Sequence, residues 1–194
     1  MRLNGMLHLL ITIALLAPAA MAGSDIYVKA VVDPGGEQLQ ITTKDGRTIS
    51  LKKEKDQYLE QVGYGAPVIS EDGKAVGWTA MFKVATSYPV PWDLVIYSAG
   101  KMHHLGVGGG MPIAEWRFEA RGKQVALRAE TLHGPARQYY VLSDTATGRM
   151  IARYGPYASG ADADDADRSD KPLPKWAEGL NQKTTPTIDQ ISST

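Results

Sequence analysis

Residues 68–76 read Val-Ile-Ser-Glu-Asp-Gly-Lys-Ala-Val, and this stretch decides the fold because it sets a glycine turn between two runs of β-forming residues. Glycine adopts a positive φ without a steric penalty, and an Asp-Gly pair between such runs is a strong signal for a β-hairpin. The second run continues as far as Phe82. We therefore predict two antiparallel strands that meet at Asp72-Gly73.

The same arrangement recurs through the body of the chain. Further glycine turns are expected at Asp45-Gly46, Ala99-Gly100, Arg121-Gly122 and Thr147-Gly148. The runs beside them are rich in β-branched and aromatic residues, and they are Ile26–Val32, Gln38–Thr42, Ile49–Leu51, Leu94–Tyr97, Met102–Leu105, Ile113–Glu119, Gln124–Ala129, Tyr139–Leu142 and Arg149–Tyr154. No sustained helical period occurs among them, so we predict an all-β fold of antiparallel hairpins.

Two connecting segments depart from this pattern. Lys52–Val62 is polar and charged, which favours a surface loop or a turn of helix, with a solvated extension of a strand as the alternative. Gly106–Gly110 precedes Met111-Pro112 and a further strand rather than a helix, and it lacks the Lys-Ser/Thr ending of a phosphate-binding loop. We expect this glycine segment to link two repeat units.

Two parts of the chain are similar to one another. The turn at Gly73 aligns with the turn at Gly122, 49 residues later, and the turn at Gly100 aligns with the turn at Gly148, 48 residues later. A fixed spacing of this kind indicates repeated supersecondary units. We predict two four-stranded units, preceded by a partial third unit that contains the turn at Gly46.

These turns resemble those in the blades of TolB-type β-propellers. In that family a Ser-x-Asp-Gly-Lys turn joins the first two strands of a blade, and an Asp-x-x-Thr-Gly-Lys/Arg turn joins the last two. The matching residues here are Ser70–Lys74 and Asp144–Arg149. The resemblance covers Ala66–Leu105 and Pro112–Tyr154, and it implies two to two-and-a-half propeller-blade-like units. A propeller closes with four to eight blades, so we expect an open sheet or a sandwich instead.

A closer resemblance is to a group of small exported bacterial proteins of unknown function. It rests on Asp72-Gly73-x-x-Val76-Gly77-Trp78, on Thr86-Ser87-Tyr88-Pro89-Val90-Pro91 and on Leu94–Tyr97. The resemblance implies export and a β fold, but it implies no activity. The cysteine pair that is expected in that group just before Thr-Ser-Tyr-Pro is absent, because Val84 and Ala85 stand there.

The start of the chain has the layout of a signal peptide. Residues 1–22 contain a positive charge, an apolar run from Met6 to Ala17, and the small residues Ala20 and Ala22 at the expected cleavage site. The apolar run is too short to span a bilayer as a helix. We predict a periplasmic or secreted bacterial protein that is cleaved after Ala22 and has no membrane span in its mature part.

Residues 23–157 form the predicted β domain, and residues 158–194 form an acidic tail that contains prolines. The tail has little apolar surface to offset the entropy of ordering, so we predict that it is disordered. A single helical turn that docks at Trp176–Leu180 is the alternative for that segment. The run Asp162–Asp167 lacks the glycine and glutamate of an EF-hand, which predicts a solvated linker rather than a calcium site.

Composition argues against several classes of function. The chain has no cysteine, so it is neither a disulfide scaffold nor a thiol enzyme. Without Arg2 it carries 20 basic and 21 acidic residues, a net charge of −1, which argues against nucleic acid as a partner. Adjacent strand residues face opposite sides, so His103 and His104 are not expected to chelate one metal ion together, and no closely spaced carboxylate joins them or His133 in a metal site. We predict no cofactor.

No catalytic constellation is predicted either. The chain contains no Gly-x-Ser-x-Gly elbow of the kind that carries a nucleophilic serine. Glu115 and Glu119 share one strand face, but they alternate with Trp116 and Phe118, which we expect to point inward. We therefore expect the two carboxylates to lie on the solvent face of the strand.

The best binding candidate is the segment Tyr88-Pro89-Val90-Pro91-Trp92. Its two prolines stiffen the backbone and cannot sit in a central strand, so Tyr88 and Trp92 would be presented with little entropy to lose. Aromatic side chains on rigid loops are good contact anchors. We predict a binding site at Tyr88, Pro89, Pro91 and Trp92; the alternative is that both rings cap the open end of the core.

We hypothesise an exported, β-rich binding module without catalytic activity, whose partner is a protein or a component of the cell envelope. One alternative is a periplasmic hydrolase or carbohydrate-active protein with a loop-built site, which requires a concave pocket with several titratable groups. Another is a structural subunit that completes a larger β assembly through unpaired strand edges.

Overall fold

The computed structural model describes residues 25–55, 60–84, 86–107, 111–132, 138–155 and 172–181. They form three antiparallel sheets and one short helical segment. The first sheet has the order β1-β2-β3, with the strands Tyr27–Val32, Gln38–Thr43 and Thr48–Lys52. The all-β prediction is therefore confirmed, and no sheet closes on itself among these residues.

The central and third sheets are larger. The central sheet has the order β4-β6-β7-β8, with β5 also paired to β6; its strands are Gln61–Tyr64, Val68–Ile69, Ala75–Phe82, Val90–Ser98 and Lys101–Leu105 for β4 to β8. The third sheet has the order β9-β10-β11-β12, with the strands Ile113–Glu119, Gln124–Glu130, Gln138–Asp144 and Met150–Tyr154.

All five predicted hairpin turns are present. Their glycines have positive φ angles between 69° and 90°, and these residues are Gly46, Gly73, Gly100, Gly122 and Gly148. Side chains reinforce the turns, as in the Ser70 hydroxyl, which donates to the Asp72 carboxylate (2.8 Å) and accepts from the Ala75 N–H (2.9 Å). The hairpins therefore follow from local sequence, as expected for turns that only glycine enters cheaply.

The three sheets stack face to face around two apolar clusters. Val76, Trp78 and Val95 of the central sheet pack against the first sheet, whereas Leu94 and Ile96 pack against the third. The central sheet is thus buried on both faces. A Cβ atom on Gly77 would lie 2.6 Å from the Trp116 ring, so this glycine allows the third sheet to approach the central backbone closely.

A C-terminal segment covers the outer face of the third sheet. Residues 175–178 form the helix α1, and a 3₁₀ turn, Gly179–Asn181, follows. Ala177 and Leu180 are fully buried there, against Tyr140 and Leu142. The helical turn considered for Trp176–Leu180 is therefore present. We call residues 172–181 the C-terminal cap.

The cap corrects the prediction for Glu115 and Glu119. Their strand face is turned to the cap rather than left to solvent, since the Arg128 Nε–H donates to the Leu180 carbonyl (2.7 Å). Arg128 also lies 3.7 Å from the Glu115 carboxylate, and Arg117 pairs with Glu119. Strand alternation gave the correct face, but it could not reveal that a later segment returns to cover it.

The stack has two chemically different ends. At one end, which we call the turn end, lie the five glycine turns. At the other, the loop end, lie the described parts of the longer connections between strands, at residues 33–37, 53–55, 60, 83–84, 86–89, 106–107, 111–112 and 131–132. The described residues of the segment Lys52–Val62 lie at the loop end: β3 ends at Lys52, Lys55 and Glu60 form an isolated bridge, and β4 begins at Gln61.

Several predictions fall outside the described residues. These concern the signal peptide at 1–22, the glycines at 108–110, His133, the acidic run Asp162–Asp167 and the end of the tail beyond residue 181. Among the residues that are described, no helix combines the length and the hydropathy needed to cross a bilayer.

Candidate functional site

The predicted aromatic segment lies at the loop end, where the chain enters β7. The Tyr88 side chain is 58% exposed, and Pro89 is also exposed. The Thr86 hydroxyl donates to the Tyr88 carbonyl (2.6 Å), and Val90 is buried and paired with Phe82. The backbone is thus held at the Tyr88 carbonyl and at Val90, on the C-terminal side of Tyr88, whose ring faces solvent rather than capping the core.

Trp92 occupies a different environment from Tyr88. The ladder between β6 and β7 pairs Pro91 with Met81 and Asp93 with Ala80, so Trp92 is the extra residue of a β-bulge. Its side chain is half-buried. A bulge re-aims the residues beside it, and here it places Pro91 and Asp93 on opposite faces of the sheet. The prediction that neither proline lies in a central strand is therefore wrong for Pro91, which belongs to β7 and is tolerated there because the bulge interrupts the regular ladder.

An unpredicted charged cluster lies beside this bulge. The His104 imidazole, on β8, contacts two carboxylates through its two ring nitrogens: Nδ1 is 2.6 Å from Asp93 Oδ2, and Nε2 is 3.4 Å from Glu54 Oε1. Asp93 belongs to β7, whereas Glu54 follows β3 of the first sheet. The cluster therefore links the first and central sheets at the loop end.

The two contacts of His104 favour its protonated form. A neutral imidazole has one N–H and one acceptor nitrogen, and only the imidazolium can donate to two carboxylates at once. The hydrogen bond to Asp93 accordingly raises the pKa of His104 above its ordinary value, with Glu54 acting in the same direction and partial burial opposing both. The arrangement is suited to holding a positive charge on His104. It is poorly suited to a general base, because the second ring nitrogen, which would have to accept a proton, lies against Glu54.

Glu54 also forms one wall of an open cleft of about 430 Å³. The buried Gln61 fixes this wall, since its side-chain carbonyl accepts from the Glu54 N–H and its own N–H donates to the Glu54 carbonyl, both at 3.1 Å. The charged residues that line the cleft are Glu37, Lys52, Lys53, Glu54, Lys55 and Glu60. Lys53 and Glu37 form an ion pair of 2.7 Å across it.

Sequence reasoning missed this cluster, although part of the signal was present. Once the turn at Ala99-Gly100 is recognised, it pairs Val95 with His104. Asp93 then lies two residues from Val95 on the same strand face, which brings it within diagonal reach of His104. Glu54 had no such signal, because its approach depends on how the first sheet stacks on the central one.

His103 and His104 face opposite sides of β8, as predicted. His103 packs beneath Gly148 of the third sheet, where a Cβ atom on the glycine would lie 2.9 Å from the His103 Cβ, whereas His104 reaches the first sheet. In the described ranges, no group of three or more His, Asp or Glu side chains is arranged to hold a metal ion.

Comparison with known proteins adds no relative. No family model, curated protein or solved structure matches this chain. The resemblances to TolB-type blades and to small exported bacterial proteins therefore stay predictions from sequence motifs.

Proposed function

We propose that this protein is an exported, periplasmic or secreted binding module that uses its loop end to engage a protein or a component of the cell envelope. The export part rests on the signal-peptide layout of residues 1–22. The binding part rests on one observation above all: Tyr88 is 58% exposed, and its backbone is held at the carbonyl and at the buried Val90.

The physical argument concerns entropy. Binding normally costs free energy for ordering loops and side chains, and a preorganised contact avoids part of that cost. Pro89 fixes its own φ angle, the Thr86 hydroxyl holds the carbonyl of Tyr88, and buried Val90 anchors the segment to the central sheet. Tyr88 is therefore a rigid, amphipathic anchor, the kind of residue on which interface energy concentrates.

Site-specific crosslinking from Tyr88 tests this proposal. A photoreactive residue at position 88 should give one reproducible adduct in the cell envelope, whereas the same residue at Lys44, an exposed position of the turn end, should not. Excess wild-type protein should suppress the adduct, and the Tyr88→Ala variant should not. Equal adducts from both positions would contradict a binding surface at the loop end. Sequencing of the mature N-terminus, expected at Gly23, checks export.

A second candidate is the hydrolase or carbohydrate-active protein, because the cleft at Glu54 is concave and lined by titratable groups. Its carboxylates lie beside cations, as in the pairs Glu37–Lys53 and Glu60–Lys55, an arrangement that suits charge pairing. The test is turnover of chromogenic glycosides and esters by the wild type and by Glu54→Gln. Turnover that disappears in Glu54→Gln would establish the enzyme in place of the binding module.

A further inference from the structure

The C-terminal cap packs on the outer face of the third sheet as a short peptide packs on a receptor. Its two fully buried side chains, Ala177 and Leu180, contact Ala126, Tyr140 and Leu142 of that face. Ala126 has no exposed surface although it lies on the outer face of its strand, because the cap covers it. The face is therefore a formed binding site with a segment of this chain seated on it.

Two arginines of the same face bind the backbone of the cap. The Arg128 Nε–H donates to the Leu180 carbonyl (2.7 Å), and the Arg117 Nη2–H donates to the Trp176 carbonyl (3.4 Å). Both guanidinium groups are also paired with carboxylates of the third sheet, which hold them in position independently of the cap. Cations suit the carbonyl end of a helical turn, so these arginines are prepared for such a segment.

The site favours a particular sequence. A Cβ atom on Gly179 would overlap the Arg117 guanidinium, so a larger residue there would force the arginine out of its present contacts. Ala177 has no exposed surface, and Leu180 is the largest fully buried side chain of the cap. The sequence Trp-Ala-Glu-Gly-Leu at residues 176–180 therefore fits the face at three positions.

The connection to the cap is long enough to reach a second molecule. β12 ends at Tyr154 and the cap begins at Pro172, so 17 residues lie between them. Their contour length is about 55 Å, more than the ~30 Å diameter of a small domain. A docked cap makes the same contacts whether it belongs to the same molecule or to another, which makes exchange of such a segment a low-cost route to a dimer.

We infer that the C-terminal cap also docks on the third sheet of a second copy of this chain, so that two molecules associate by exchanging identical segments. The occupant is a second copy because the segment seated on this face belongs to this chain. The cap of the same molecule competes at an effective concentration on the order of 1 mM. Exchange in the wild type should therefore become appreciable near that protein concentration, with a monomer far below it.

Two variants of the full-length mature protein separate the cap from its site. Ala126→Glu places a carboxylate beneath the cap and closes the site, but it leaves a usable cap. Leu180→Asp prevents the cap from docking, but it leaves the site open. Each variant alone should be a monomer in light scattering. The mixture should form a one-to-one complex at concentrations about tenfold or more below those the wild type needs, since no cap of the same molecule competes.

Lys175→Asp is the matched control for Leu180→Asp, because it adds an acidic residue to the same turn at an exposed position. Its own cap stays docked, so its mixture with Ala126→Glu should remain monomeric at these concentrations. An equal complex with Lys175→Asp, or a dimer of Leu180→Asp alone, would show that another surface associates and would overturn the proposal. Two variants that stay monomeric when mixed would overturn it as well.

A synthetic peptide of residues 172–181 tests the site without a variant protein, in case a substitution prevents folding. With excess peptide, on the order of 5 mM, the NMR signals of the chain's own Leu180 should shift to those of a released cap. A peptide that carries the Leu180→Asp substitution should leave them unchanged. Unchanged signals with both peptides would overturn exchange of the cap. None of these measurements involves Tyr88, so their outcome is independent of the proposed loop-end function.

Discussion

The turn end and the loop end of the stack hold the same sheets together by different means. At the turn end, contacts between sheets involve backbone groups: the Tyr27 N–H donates to the Gly73 carbonyl (2.7 Å), and the Ser98 hydroxyl donates to the Thr145 carbonyl (3.1 Å). At the loop end, the first and central sheets meet through the bonds between Gln61 and Glu54, through the Tyr64 hydroxyl, which donates to the Leu51 carbonyl (3.0 Å), and through the charged cluster at His104. The loop end thus includes a contact between sheets that depends on charge and therefore on pH.

The difference indicates that the two ends of the stack have different roles, close packing of the sheets at the turn end and display of exposed groups at the loop end. At three of the glycine turns, those of Gly73, Gly122 and Gly148, the sheets approach so closely that an added Cβ atom would lie 3.0 Å or less from a side chain of the neighbouring sheet. Longer connections leave room for exposed groups such as Tyr88 and for the cleft beside Glu54. A rigid scaffold with variable loops at one end is the common arrangement in binding proteins.

The largest expected effect is at Gly122. This glycine has φ +90°, and a Cβ atom would lie 2.6 Å from the Ser70 Cβ in the central sheet. Gly122→Ala should lower the free energy of unfolding by about 3 kcal/mol, the sum of a left-handed backbone and an overpacked contact. Urea denaturation measures this change.

Gly46 provides the matched control for that prediction. Its φ is +87°, but nothing lies within 4 Å of the position that a Cβ atom would take. Gly46→Ala should therefore show only the backbone cost, about 1 kcal/mol. If the two variants lose equal stability, close contact between sheets is not what distinguishes the turn end.

Removing one hydroxyl at each end gives a sharper comparison. Ser70 is buried and bonded to Asp72 and Ala75, so Ser70→Ala should cost about 1–2 kcal/mol in unfolding free energy. Thr86→Val removes an exposed hydrogen bond to the Tyr88 carbonyl and should cost about 0.5 kcal/mol or less. A larger loss for Thr86 would show that the loop end is as rigidly built as the turn end.

The pH dependence of stability tests the charged cluster. Because the pKa of His104 is raised on folding above 6.5, its contribution is fully present below that value and is lost as the pH rises through the folded-state pKa. For a partly exposed pair the contribution should be less than about 1 kcal/mol. Unfolding free energies of the wild type and His104→Gln should converge toward high pH, and a His104 pKa at or below 6.5 by NMR would contradict the prediction.

The smallest effect on stability is expected at Tyr88. The side chain is mostly exposed, so Tyr88→Ala should change the unfolding free energy by less than about 0.5 kcal/mol while abolishing the crosslinked adduct. Trp92→Ala should cost more, because that ring is half-buried at the bulge. If Tyr88→Ala loses as much unfolding free energy as Trp92→Ala, the Tyr88 ring packs in the core and is not an exposed contact residue.

The fold was predictable to the extent that it is local. Each hairpin depends on a glycine turn and the residues beside it, and these were all present in the expected places. The two-sided burial of the central sheet also has a signal, the unbroken apolar run Leu94–Tyr97, which is typical of a strand covered on both faces. The order in which the sheets stack has no such signal, because it depends on contacts between distant residues.

The candidate site was predictable only in part. Tyr88 could be placed at a loop because prolines restrict their neighbours, and its exposure agrees with that placement. Asp93 and His104 could have been paired from the register of one hairpin. Glu54 and the cap could not, since both reach their partners across sheets, through segments whose polar composition resembles that of any surface loop.

The position of the C-terminal cap has a consequence for synthesis of the protein. Its buried Leu180 is made about two dozen residues after Tyr154, where β12 ends. Until it emerges, the face of the third sheet at Tyr140 and Leu142 has no cover, for a few seconds at ordinary rates of translation. A chain that stops before the C-terminal cap keeps that apolar face uncovered, and an exposed apolar face of this kind is a surface that proteases and chaperones can recognise.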